Sequence, residues 1–154
     1  MRHQLIELAY RARKKAWQLL KVRTRGVKVM LFNSAGELLL IRNSYGRSEL
    51  FVLPGGGIRP WEKPAEAAKR EVREELGVTV GSLTFRSRHS STAEGKRDEI
   101  HLFEGVARGD ARPDNLEVLE VRFANPEKLP ETTSDATRRR VEEYLRRRVP
   151  DGSW

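Results

Sequence analysis

Apolar and polar positions alternate along the 154-residue chain in two periods, and the change from one to the other marks its elements. Residues 3–21 follow the 3.6-residue period of a helix. Leu5, Ile6, Leu8, Ala9, Ala12, Ala16, Leu19 and Leu20 gather on one side, widened by Tyr10 and Trp17, with Glu7, Arg11, Lys14, Lys15 and Gln18 opposite. Residues 24–33 alternate and are β-branched enough for a strand. Ser34, Ala35 and Gly36 turn the chain into residues 37–42, whose unbroken apolar run predicts a strand buried on both faces. A loop over 43–48 and a short strand over 49–53 then deliver the chain into Gly55, Gly56 and Gly57. Residues 64–76 return to the helical period, with Ala65, Ala68, Val72 and Leu76 as a narrow apolar stripe. Pro64 suits the first turn of that helix and Gly77 its C-cap. Further strands are predicted over 83–89, 99–107 and 118–124, separated by a polar loop over 90–97 and a turn region over 108–115. Ser134 or Asp135 is placed to cap a last helix over 136–148, and Trp154 is read as disordered.

The helix over 64–76 carries the candidate chemistry. Glu71, Glu74 and Glu75 lie beside its apolar stripe within an arc of roughly 100°. Such a set offers hard oxygen ligands to Mg²⁺ or Mn²⁺, and the glycines just before it let backbone approach a ligand closely. The plainer reading is a charged surface helix. Glu66 with Arg70, and Arg70 with Glu74, are favourable pairs at a spacing of four, but Glu71 and Glu75 repel at that spacing. A cation accounts for the cluster better, and the combination points to metal-assisted chemistry on a phosphate compound.

The same stretch resembles the signature of the Nudix hydrolases, G-x5-E-x7-R-E-U-x-E-E-x-G-U with U a bulky aliphatic residue. Gly56, Glu62, Arg70, Glu71, Val72, Glu74, Glu75, Gly77 and Val78 fill every specified position. Arg59 stands where many members have Glu, and Trp61 where many have Gly. The resemblance implies an α/β/α sandwich around a mixed β-sheet, to which this chain would add the N-terminal amphipathic helix and a C-terminal helix. It implies hydrolysis of a pyrophosphate bond in a nucleoside diphosphate linked to another moiety, with Glu71, Glu74, Glu75 and the Gly55 carbonyl as metal ligands. Arg70 would orient the cluster through an ion pair, and Gly56, Glu62 and Gly77 would serve the local structure. Family members often use a further Glu outside the signature as ligand or base. Glu120 is the first choice and Glu117 the second. Which Glu acts as general base stays open. Arg42, Tyr45 and Arg59 are candidates for binding substrate, with Arg23, Arg25, Arg47, Lys96 and Arg97 as further cations within reach of phosphate. The substrate could be a nucleoside triphosphate, oxidised or not, a nucleotide sugar, ADP-ribose, a dinucleoside polyphosphate or a capped RNA end.

Composition alters this picture at one end of the chain. The formal net charge is +8, and residues 1–28 hold nine Lys and Arg against Glu7 alone, so the rest of the chain balances. There is no cysteine, which excludes a disulfide framework and thiolate metal ligands. No apolar run approaches a membrane span, and Arg11, Arg13, Lys14 and Lys15 interrupt any secretory h-region, so a cytoplasmic protein is expected. The expected organisation is a basic helix over 1–23 and one catalytic domain over 24–149. The apolar face of the first helix is expected to dock on that domain or on a second copy in a homodimer. Its rival role is contact with nucleic acid or an anionic membrane. In the rival reading of the whole chain, the domain senses a nucleotide with little catalysis.

Overall fold

The computed structural model describes residues 2–20, 23–93 and 96–154. Three helices and six strands follow in the order α1 (Arg2–Leu20), β1 (Arg23–Phe32), β2 (Leu38–Asn43), α2 (Pro64–Leu76), β3 (Thr79–Val80), β4 (Thr84–Ser91), β5 (Arg97–Arg108), β6 (Val118–Ala124) and α3 (Asp135–Tyr144). The expected end of the first helix at Lys21, and two positions of the loop over 90–97, lie outside the described residues. The sheet runs β3-β5-β1-β2-β6, with β4 also paired to β5. It is mixed: β1 lies parallel to β5 through ten paired residues, from Arg23↔Arg97 to Phe32↔Val106, while the other named pairings are antiparallel.

Side-chain alternation sends each central strand into two cores. Val27, Val29 and Leu31 of β1 join Leu39 and Ile41 of β2 against Ala67, Ala68, Val72 and Leu76 of α2. The intervening Met30, Phe32, Leu38 and Leu40 pack on the opposite face with Phe51, Leu53 and Val141 of α3. This is why residues 37–42 read as one unbroken apolar run: both faces of β2 are covered, and Leu38 to Ile41 are each 0% exposed.

Two expectations need correction, and two features went unread. Residues 49–53 form no strand of their own; Phe51 and Val52 make isolated bridges to Thr133 and Ile41. The two-residue β3 went unseen because its period is too short to register. Trp154 is ordered: it packs on the α3-side core, its ring lies 5.6 Å from that of His89, and its N–H donates to the Ser90 carbonyl. His89 is 1% exposed: its Nε2 bonds the Ser87 hydroxyl, and its Nδ1 accepts from Arg140, which also donates to the Ser153 carbonyl.

The helix ends follow local chemistry. Pro64 opens α2, the Glu66 carboxylate accepts from the Lys63 N–H at 3.2 Å, and Gly77 closes the helix at φ 67°. The Ser134 hydroxyl caps α3 by accepting from the Thr137 N–H.

The candidate active site

The glycine stretch lies along β1 as an extra, irregular strand. Val27 N–H donates to the Gly56 carbonyl at 2.9 Å, Val29 N–H to the Pro54 carbonyl at 3.0 Å, and Ile58 N–H to the Arg25 carbonyl at 2.9 Å. Gly55 takes φ 142°, and a Cβ there would stand 2.1 Å from the Val27 carbonyl oxygen. Gly56 has a different constraint: its missing Cβ leaves room for the Glu71 carboxylate, whose atoms would lie 2.5–2.7 Å from it. Two of the three glycines therefore exist so that backbone can press against β1 on one side and an acidic side chain on the other.

Beneath this loop α2 presents its carboxylates at different depths. Glu75 is 5% exposed, and its Oε2 accepts from the Gly55 N–H at 3.0 Å. Burial pushes its pKa up to about 8, against the pull of Lys28 and the Gly55 N–H, and the Glu71 and Glu117 charges push it further. Glu71 is raised by burial too, and Arg70 opposes the rise. Glu74 sits at the rim, half exposed.

Arg70 ties these groups together. Its guanidinium donates to Glu62 at 2.8 and 2.9 Å, to Glu71 at 2.6 Å, to Glu74 at 3.1 Å and to the Gly57 carbonyl at 2.9 Å. Five donors in a rigid fork suit that geometry, which Lys could not reproduce. Its bond with Arg70 holds the Glu62 pKa down at about 2. Glu62 also accepts from the Arg59 N–H at 3.2 Å, which fixes the loop entering α2.

A cleft of ≈ 840 Å³ opens over Glu71, Glu74 and Glu75, and Gly55, Gly56, Tyr45, Arg59 and Glu117 also line it. Glu120, the first choice for an additional carboxylate, is elsewhere. A bulge in the β2–β6 pairing at Arg42/Asn43 puts Val118 in the α2-side core and leaves Glu120 paired with Arg42. Glu120 bonds Arg42 at 2.7 Å and Arg122 at 3.1 Å, and both guanidiniums lie over the Phe51 ring of the α3-side core. The second choice, Glu117, is the one the fold brings to the cluster. The bulge is what turns Glu120 away, and strict alternation cannot reveal an inserted residue. Arg42 leaves the cleft by the same pairing, and Arg47 pairs with Glu49.

Sequence reasoning missed part of the wall. Tyr10, Arg13 and Trp17 of α1 line the cleft, as do Thr24, Lys28 and Asp98. The only advance signal was that Tyr10 and Trp17 flank, rather than centre, the apolar stripe of α1.

Among the described residues, no three His, Asp or Glu side chains converge as they stand into a set that could hold a metal ion together. Glu71 is turned onto Arg70, and Glu75 onto Gly55. The donor chemistry nevertheless fits a hard divalent cation: three carboxylates on adjacent turns, one deeply buried and raised toward neutrality, with a fourth facing them.

A glycine loop pinned to the central strand, over a helix that turns three carboxylates toward it inside an α/β/α sandwich, defines the class of structure. The chain belongs to the Nudix family, whose NUDIX domain matches residues 22–145. It is 33% identical over 126 residues to an isopentenyl-diphosphate Δ-isomerase of Streptomyces coelicolor, covering 73% of this chain and 62% of that protein. It is 34% identical over 110 residues to an uncharacterized Nudix hydrolase of Pseudomonas aeruginosa, covering 67% and 63%. The chain thus spans less than two thirds of the length of these relatives. In fold it is similar to a MutT Nudix hydrolase from Burkholderia pseudomallei, with TM-score 0.70 and 22% identity over 78% of this chain and 96% of that one.

Proposed function

We propose that this chain is a divalent-cation-dependent pyrophosphohydrolase that cleaves the phosphoanhydride of a nucleotide-type substrate. The observation that carries the reading is the crowding of Glu71, Glu75 and Glu117 around a buried, glycine-covered point, where burial alone makes the ionised Glu75 costly. A structural helix gains nothing from that arrangement, and a site that binds Mg²⁺ or Mn²⁺ does. Glu71, Glu74 and Glu75 would hold the cation, with the Gly55 carbonyl beside them. When bound, it neutralises phosphate oxygens and acidifies water. Arg70 keeps Glu71 and Glu74 in place and locks the loop through Glu62 and the Gly57 carbonyl. Glu117 shares the cleft with Glu71 and Glu75 and would take a proton from attacking water. Arg59, 3.9 Å from Glu74 at the rim, would meet the outgoing phosphate.

The relatives' names leave the leaving group open, since one is an isomerase of a diphosphate ester and the other an uncharacterized hydrolase. The diphosphate in the isomerase's name accords with the proposed reading. A phosphate- and nucleotide-release screen over the candidate substrates with Mg²⁺ or Mn²⁺ tests it. Turnover should vanish with a chelator and return with the cation. Release from none of them with either cation would refute the hydrolase reading and favour the nucleotide sensor. Glu117→Gln should lower kcat at least about tenfold, within the range of general-base contributions, while Glu120→Gln should leave it within about twofold. The reverse order would return the additional carboxylate to Glu120.

A further inference from the structure

Within its own chain, α1 does not dock on the domain through its leucines, which was one of the two coverings expected for that face. Among the described residues of α1 none is buried, and Leu5, Leu8, Leu19 and Leu20 are 65–78% exposed. The helix turns its other side inward. Ile6, Glu7, Tyr10, Lys14 and Trp17 are its half-buried residues, and their spacing places them on one face, away from the leucine stripe.

That face is fastened at both rims of the cleft. At one rim, Glu7 Oε2 accepts from the Gly46 N–H at 3.0 Å, and the Tyr10 ring lies 5.2 Å from that of Tyr45. Gly46 has φ 65°, and a Cβ there would stand 3.3 Å from the Tyr10 hydroxyl, so the loop after β2 is shaped to receive this helix. At the other rim, Lys96 Nζ lies 4.1 Å above the Trp17 ring, and Arg13 lies 4.8 Å from the same ring. Tyr10, Arg13 and Trp17 consequently share one cavity with Glu71, Glu75 and Glu117. The matched family domain begins at residue 22, so this wall is built from chain outside it.

We infer that α1 is the specificity wall of the site: Tyr10, with Tyr45, offers an aromatic platform to the base of a nucleoside polyphosphate, and Arg13 faces its outer phosphates. This rests on the proposed cleavage of a phosphoanhydride at the α2 carboxylates and adds the part of the substrate that selects it. Acidic and basic side chains both line the cleft. Its floor is acidic and suited to a cation with the bridging phosphates, while Arg13, Arg23 and Arg25 line it alongside the tyrosines. A base stacking on a ring pair loses little by being any one of the four, so the wall selects for a base more than among bases.

The test compares each of the four common nucleoside triphosphates with tripolyphosphate, which carries the same anhydride and no base, in the full chain. Tyr10→Leu should raise KM for the nucleotides about tenfold with kcat within about twofold, the size expected for losing one stacking surface. It should leave tripolyphosphate kinetics unchanged. Equal change with both kinds of substrate, or none with either, would overturn the wall. If the unmodified chain hydrolyses nothing, the cleavage reading fails separately. Calorimetric titration of the nucleotides with Mg²⁺ then decides the wall: about tenfold weaker binding by Tyr10→Leu supports it, and unchanged or absent binding overturns it. Glu7→Ala guards against a local fault in the Tyr10 variant, because it keeps both rings and removes the tie to Gly46. It should shift nucleotide KM in the same direction, and an unshifted KM would count against the wall.

Discussion

Glu75 concentrates the physics of the site in one side chain. Its folded pKa of about 8 stands above the ordinary carboxylate value of 4.5, so the unfolded chain ionises first as pH rises. The cost is absent below the unfolded value, grows through the window from about 4.5 to about 8, and is full above it. The metal-free protein should therefore lose stability between pH 5 and pH 8 through this group. A cation offsets the loss, so millimolar Mg²⁺ should raise the melting temperature more at pH 8 than at pH 5. Glu75→Gln should flatten both dependences, and an equal Mg²⁺ shift at the two pH values would argue against Glu75 as a ligand. The carboxylates were legible in the sequence because helical spacing is regular. Their depths were not, since exposure depends on the loop laid over them. Glu120 shows the limit more sharply, for a single bulge turns it away from the cluster.

The glycine loop and α2 form an element whose parts fail differently. Gly55→Ala meets backbone, the Val27 carbonyl, at a φ that L residues rarely adopt, so it should destabilise the fold by about 2–4 kcal/mol in chemical denaturation. Gly56→Ala meets only the movable end of Glu71. It should cost less stability and more turnover, by driving that carboxylate from its place. A larger stability loss for Gly56→Ala than for Gly55→Ala would contradict this division. The limits of α2 were readable to the residue because Pro64 and Gly77 mark them chemically. The orientation of α1 was not. An amphipathic pattern tells which side is apolar, and here the side toward the protein is the one with Tyr10, Trp17 and Glu7.

At the scale of the molecule, the end of the chain returns to close the face opposite the cleft helix. Arg140 is 1% exposed and spans from Glu143 at 2.7 Å to His89 at 2.8 Å, with its guanidinium 5.4 Å from the Trp154 ring. Burial and the Arg140 charge lower the His89 pKa, so the imidazole stays neutral and accepts from the guanidinium. Glu143→Ala would leave that buried cation without its carboxylate and should cost about 3–5 kcal/mol, measured by chemical denaturation. An unchanged midpoint would show that Arg140 finds compensation elsewhere. No local pattern announces this contact, because His89 and Arg140 are 51 positions apart and Trp154 belongs to a third segment.

The longest parallel pairing, β1 with β5, joins residues 74 positions apart, and the glycine loop and α2 lie between them. During synthesis the ribosome delivers Val27, Val29, Met30 and Leu31 long before the strand that completes their sheet. The glycine loop can sit on β1 at once, holding its Val27 and Val29 amides and leaving fewer free groups for a neighbouring nascent chain to pair with. The loop that later covers the acidic cluster thus also serves as an early guard for an aggregation-prone strand, and the slow step in assembly is the arrival of β5.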